Sequence, residues 1–231
     1  MLGRNHVALS LGSALLLAVP WLPGSLETVA LVLAGVWVGA YLPDLDSDSM
    51  RMVKGAVMPR FVPRVLRWIL FRIVAVGFWL CRLRFDPSHR GSLHTIFGVA
   101  LYSTVISFAL FAGLTLAGHW IPITLWFFAG LVAGGLLHLL EDSCTKWGIT
   151  PFVPVWGHRF RGRIITGSSD LRPEVYASVL FSMAGGLYAV SVYQGIGFER
   201  LQLLAALTLA TTWGLFFLWA KVPSRSEIWK H

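Results

Sequence analysis

The chain has 231 residues, of which 56% are hydrophobic and only 13% charged, against about 25% charged in an ordinary soluble domain. That balance leaves little room for a separate soluble domain. It implies an integral membrane protein with space for about six spans of roughly 20 residues. The formal charge of +8 comes without an aromatic-interleaved basic tail or a recognition motif, so juxtamembrane Lys and Arg explain it better than a nucleic-acid partner does.

In chain order, apolar runs predict spans over 7–22, 27–42, 93–117, 122–140, 176–194 and 202–220. Arg4 precedes the first run as in a signal peptide, but no small-x-small cleavage site follows near Pro20, so the run reads as a retained span. The expected architecture is all-α and polytopic, a single membrane domain over 1–231. The connections 23–26, 118–121 and 195–201 are tight, whereas 43–92 and 141–175 are long and basic. Cys81 and Cys144 make no disulfide framework.

Residues 60–85 are apolar but punctuated by Arg60, Arg64, Arg67, Arg72, Arg82 and Arg84. Arg60, Arg64, Arg67 and Arg82 share one helical face, the pattern of a basic amphipathic helix in the interface or a re-entrant segment. A crossing helix would bury Arg72 near its middle, at a cost of at least about 2.5–3.5 kcal/mol. With 60–85 not crossing, 18 of the 19 Lys and Arg fall on one membrane face and only Arg200 on the other. The positive-inside rule makes that face, and both termini, cytoplasmic in a plasma or inner membrane.

Four polar clusters on that face carry metal-ligand residue types: His6; Asp44 and Asp46 after Pro43; His89 and His94; His138 with Asp142. Acids and imidazoles at membrane depth are costly and mark a functional site by default. His138 and Asp142 are four apart, so a helix stacks them on one face. Alone, the pair also reads as a satisfied polar pair at a helix end. Asp44-x-Asp46 grips one metal or bridges two, or simply serves as a cap or Asx turn. Glu141 points a quarter turn from His138 and reads as a base or as a solvated charge. Arg90 between His89 and His94 suits clamping an anionic oxygen. Arg159, Arg161 and Arg163 alternate in a short segment and suit a headgroup, or are ordinary juxtamembrane charge. Together the clusters offer four His and three Asp, a set for Zn²⁺, Mn²⁺ or Mg²⁺, one to three ions. Cys144 is a further, soft candidate.

Leu42-Pro43-Asp44-Leu45-Asp46, His89 to Thr95 and Gly135 to Thr145, with His6, Gly148 to Phe152 and Trp156 to Arg163, resemble the YdjM-like (LexA-regulated) membrane-bound, metal-dependent hydrolase family. The resemblance covers about 1–165, while the last two spans match in hydrophobicity alone. Glu141 stands where the family pattern has a small residue. The family is distantly similar to zinc-dependent phospholipase C and P1 nuclease. The resemblance implies a phosphoesterase whose metals are held by His6, Asp44, Asp46, His89, His94, His138 and Asp142, acting on a phospholipid or lipid-linked phosphate. The competing expectation is a metal-ion transporter or a metal-stabilised scaffold, whose ligands would sit deeper in the spans.

Overall fold

The computed structural model describes residues 3–46, 61–165 and 169–222; the side chains of Asp46, Leu66 and residues 61–64 lie outside that description. Among the described residues the chain is all-helical: α1 (Gly3–Ala18), α2 (Leu26–Tyr41), α3 (Phe61–Leu80), α4 (Ile96–Leu116), α5 (Leu125–Ser143), α6 (Arg172–Gln194) and α7 (Phe198–Ala220). Short 3₁₀ turns over Pro43–Asp46 and Ser92–His94 end α2 and precede α4. The expected all-α membrane architecture is therefore observed.

Among the described residues, five segments are long and apolar enough to cross a membrane: Leu26–Leu45, Ile96–Leu116, Pro122–Ser143, Arg172–Gln194 and Phe198–Ala220. The sixth expected span, α1, is not confirmed: it has only 16 residues, about 24 Å against a hydrocarbon core of about 30 Å, although it runs from the metal end of the bundle. It also begins at Gly3 rather than residue 7, which puts His6 inside its first turn.

The tightest packing joins α2 to α5, and glycine causes it. Gly35 and Gly39 on α2 and Gly130 and Gly134 on α5 are each four residues apart, one small-residue stripe per helix. A Cβ on Gly35 or Gly39 would fall on the carbonyl oxygens of Phe127 or Leu131; one on Gly130 or Gly134 would fall on those of Val32 or Val36. The two backbones thus touch directly. On one side of this pair, α1 packs with α6 and α7 in a cluster holding Leu9, Leu16, Leu180, Trp213 and Phe216. On the other, α3 and α4 close a second cluster around Val74, Phe78, Val99, Tyr102 and Leu131.

With α3 set aside, helix directions alternate, so the starts of α1, α4 and α6 gather with the ends of α2, α5 and α7. Asn5 Nδ2 donates to Glu174 at 3.1 Å, His6 meets Glu141, His94 faces Asp44, and the Arg163 N–H donates to the Ala220 carbonyl. Helix α3 touches both 3₁₀ turns at this end and packs Phe78 edge-on to Phe97 of α4 at 5.0 Å. As expected of a helix that does not cross, it is not among the five candidate spans, but its described side chains divide differently from the arginine pattern. Leu70, Val74 and Phe78 face inward, and the opposite side exposes Val65, Trp68, Ile69, Val76, Trp79 and Leu80. That outer face is apolar apart from Arg72, whose guanidinium lies 5.5 Å over the Trp68 ring. Arg67 is half-buried against Phe71, Arg82 falls past the helix end at φ +57°, and Arg60 and the Arg64 side chain lie outside the described residues. The apolar positions recur every three to four residues on both flanks, so burying one flank leaves the other for lipid.

A side chain at Gly39 or Gly134 should separate α2 from α5. Gly39→Val is expected to cost about 3 kcal/mol or more, the upper range for overpacking, because the obstructing atom is backbone. Gly185→Ala, where a Cβ meets nothing within 4 Å, should hold or slightly raise the melting temperature in detergent. Equal melting temperatures for both variants would refute this account of the α2–α5 contact.

Candidate metal centre

Each ligand side chain is delivered by a distinct local device. His138 lies on α5, and its Nδ1 donates to the Ala40 carbonyl on α2 at 2.8 Å. This bond needs the close α2–α5 approach, because Ala40 follows Gly39 directly. With Nδ1 as donor, Nε2 keeps its lone pair. Nε2 is buried with no hydrogen-bond partner, an arrangement that a metal ion would complete.

His94 is held by a folded loop. The Ser88 N–H donates to Asp86 Oδ1, the Asp86 N–H to Ser92 Oγ, and the Ser92 N–H to the Asp86 carbonyl. Gly91 fits because a Cβ there would strike the Asp86 and Ser88 carbonyls. Thr95 then caps α4, its Oγ1 accepting from the Gly98 N–H at 2.9 Å. His94 sits immediately before that cap, fully buried.

The two carboxylates complete the set. His94 Nε2 lies 3.8 Å from Asp44 Oδ1 and 3.6 Å from Asp142 Oδ2; His138 Nε2 lies 3.7 and 3.8 Å from the same two atoms. These separations exceed hydrogen-bond lengths. They are close to the edges of a tetrahedron whose corners stand about 2.0–2.3 Å from a central ion. The Asp44 side chain is 23% exposed, whereas those of His94, His138 and Asp142 are at most 1% exposed. The cage therefore opens at its Asp44 corner.

His6 approaches from α1. Its Nε2 is 3.5 Å from Asp142 Oδ1, and its ring stacks on His138 with centroids 4.0 Å apart. Its Nδ1 bonds Glu141 Oε2 at 2.6 Å, and Ser10 Oγ donates to Glu141 Oε1 at 2.8 Å. Two overlapping groups can thus hold a metal: His6, His138 and Asp142; and Asp44, His94 and His138. The two groups share His138, whose one remaining ring nitrogen can serve one ion at a time.

The sequence expectations fare unevenly. His6, Asp44, His94, His138 and Asp142 converge. His89 does not join either group; it is exposed, with its ring edge-on to His94 at 5.3 Å. A loop residue five positions before a buried ligand stays on the surface because the intervening turn reverses the chain. The Asp46 side chain lies outside the described residues. Glu141 is not a solvated charge but fully buried on His6 and Ser10. Arg90, in the left-handed region at φ +67°, spends its fork on the protein: one nitrogen reaches Asp142 Oδ1 at 2.9 Å and the other Thr145 Oγ1 at 3.1 Å. Arg159, Arg161 and Arg163 lie on the segment that pairs Thr145 with Ile164 and Ile149 with Phe160. Cys144 is in neither ligand group; burial raises its thiol far above the usual range, and it donates to the Leu140 carbonyl.

Three parts of the site went unread in the sequence. Ser10 lies four residues after His6, one turn along the same helical face, a legible spacing. The two glycine pairs four apart were also legible. The Ala40 carbonyl carries no sequence signal.

With this geometry established, comparison with known proteins gives one match. The description of the YdjM inner membrane protein matches residues 1–222, so it extends past residue 165 through α6 and α7. No curated protein and no solved structure matches the chain. The chain belongs to the YdjM inner membrane protein family.

Proposed function

We propose that the chain is a membrane-embedded, metal-dependent hydrolase that cleaves a phosphate ester, a phospholipid or lipid-linked phosphate, at the metal end of the bundle. The observation that carries this reading is the four-atom cage of Asp44, His94, His138 and Asp142, closed on three corners and open at Asp44. Four protein atoms fill a tetrahedron, so water or a substrate oxygen would reach the ion beside the partly exposed Asp44 as a fifth neighbour, an expansion that catalytic zinc sites make. Two imidazoles and two carboxylates suit Zn²⁺, with Mn²⁺ or Mg²⁺ as alternatives. A divalent ion held there supplies Lewis-acid chemistry, acidifying water and offsetting charge on a phosphoryl oxygen. The ligands lie at helix ends rather than at mid-membrane depth, which supports surface chemistry over transport.

The chain's own residues supply order. The Ala40 carbonyl fixes the His138 tautomer, and Glu141 with Ser10 fixes that of His6, the carboxylate–histidine arrangement that raises ligand basicity. Arg90 is a positioning residue: by holding Asp142 Oδ1 it turns Oδ2 toward the two imidazoles. The charge distribution supports a cytoplasmic side for this end and for both termini.

Purified protein is expected to carry about one equivalent of divalent ion. His138→Ala and Asp142→Ala should each remove most of it, while His89→Ala should retain it. Glu141→Gln and Arg90→Lys should weaken metal affinity by about 10–100-fold with helix content unchanged, the usual cost of losing an outer partner. Metal content indifferent to both ligand substitutions would end the metal reading.

Activity separates hydrolase from transporter. In detergent or lipid, the wild type should release phosphate or headgroup from a phospholipid or lipid-phosphate panel, and His138→Ala should not. If wild type and His138→Ala are equally inactive across the panel while the wild type moves divalent ions across proteoliposomes, the transporter reading replaces this one.

Sidedness is testable at two exposed positions, Ser88 and His119. In a Cys81→Ser background, Ser88→Cys should resist an impermeant thiol reagent in intact cells and react in inverted vesicles, and His119→Cys should do the reverse. The opposite pattern would put the centre outside the cytoplasm.

A further inference from the structure

Beyond the metal centre, the segment joining α5 to α6 combines features that no ligand role uses. No acidic residue occurs between Asp142 and Asp170, while Lys146, Arg159, Arg161 and Arg163 are basic. The same stretch exposes large apolar side chains: Trp147 at 65%, Phe152, Val155 at 94%, and Trp156.

These side chains ride on a fixed platform. The Ile149 and Phe160 backbones exchange hydrogen bonds, the Gly162 N–H donates to the Thr145 carbonyl, and the Ile164 N–H to the Cys144 carbonyl. Gly148, at φ +62°, and Gly162 permit this pairing, because a Cβ on either would strike the Phe160 or Cys144 carbonyl. Arg163 is tied through its N–H to Ala220, and its carbonyl accepts from Arg172 at 2.7 Å. Arg172 also bonds Asp170, and these bonds hold the Asp170 carboxyl down at about 2. At the far end of the ribbon, Phe152, Trp156, His158 and Phe160 form one ring cluster, with Trp156 stacked on His158 at 4.8 Å. Arg159 and Arg161 flank Phe160 in that cluster, and Arg159 Nε is buried without a hydrogen-bond acceptor.

A hydrogen-bonded ribbon of aromatic rings with four cations and, among residues 145–164, no acid fits the boundary of an anionic bilayer. Trp rings favour the headgroup level, and each Lys or Arg there gains from the negative surface potential. The ribbon leaves the metal end of α5, beside the ends of five segments able to span the membrane, so its depth is that of the headgroups. We propose that residues 145–164 form an anionic-lipid docking plate that seats the metal end of the bundle in the headgroup layer, with Trp147, Phe152, Val155 and Trp156 among the upper acyl chains and Lys146, Arg159, Arg161 and Arg163 on lipid phosphates. The proposal does not depend on the hydrolase reading.

The test uses the full chain in proteoliposomes, with Cys81→Ser and a bimane fluorophore on Val155→Cys. Lipids brominated near the top of the acyl chain, with phosphatidylglycerol or phosphatidylcholine headgroups, serve as quenchers. The relative association constant should favour phosphatidylglycerol by at least about fivefold, the effect of roughly one basic contact. It should fall toward unity in 0.5 M salt. Substituting Gln for Lys146, Arg159, Arg161 and Arg163 together should abolish the preference while quenching by both lipids persists. Should that variant not fold, the salt series on the unsubstituted residues decides alone. Equal quenching by the two lipids at low salt, or a preference unmoved by salt, overturns the proposal. So does absence of quenching by either lipid, which would leave an acidic protein surface as the partner of the plate.

Discussion

Direct backbone contact between α2 and α5 is the constraint from which the site follows. Gly35 and Gly39 admit the carbonyls of Phe127 and Leu131, and Gly130 and Gly134 admit those of Val32 and Val36. In lipid there is no hydrophobic drive between helices, so close approach through small residues and polar contacts across the seam must hold them. That approach brings the Ala40 carbonyl to His138 Nδ1. It thereby determines which nitrogen of His138 remains for an ion, and it brings the end of α2, with Asp44, alongside α5. A separation of an ångström or two along this seam would dissolve the four-atom cage without altering any ligand.

The site concentrates charge where charge is expensive. His6, His94, His138, Glu141 and Asp142 are all at most 1% exposed. Unpaired, such groups would each cost several kcal/mol in a low-dielectric surround. The fold answers with partners at every edge: Ser10 and His6 on Glu141, Arg90 on Asp142, the Ala40 carbonyl on His138. What remains is a convergence of imidazole nitrogens and carboxylate oxygens at 3.6–3.8 Å, too far apart to satisfy one another by hydrogen bonding and well spaced to satisfy a cation.

The two surface elements beside the centre differ in what they expose. Helix α3 turns an apolar face outward and keeps Arg72 against Trp68, whereas the α5–α6 ribbon pairs exposed aromatics with a run of cations. Arginine on α3 is tolerated because its long side chain can lie along rings and reach polar surroundings. Both elements touch the end of the bundle that holds the candidate ligands, which on the proposed reading is where a phosphate ester would approach.

The class of the protein was written in its composition, because 13% charge and long apolar runs admit few folds besides a helical membrane bundle. The convergence of five candidate ligand residues was legible as well. His138 and Asp142 share a face through the 3.6-residue period alone, and alternating helices must return His6, Asp44 and His94 to the same end. The rest needed tertiary structure, for physical reasons particular to each residue. His89 has the right chemistry and lies five residues from a ligand, yet a tight Asp86–Ser92 turn leaves it outside. Glu141 and Arg90 carry charges suited to catalysis, but which groups they meet depends on distances between α1, α5 and a loop some fifty residues away. The outward face of α3 depended on which of two apolar flanks found the protein first. Periodicity assigns residues to faces; only packing determines what each face touches.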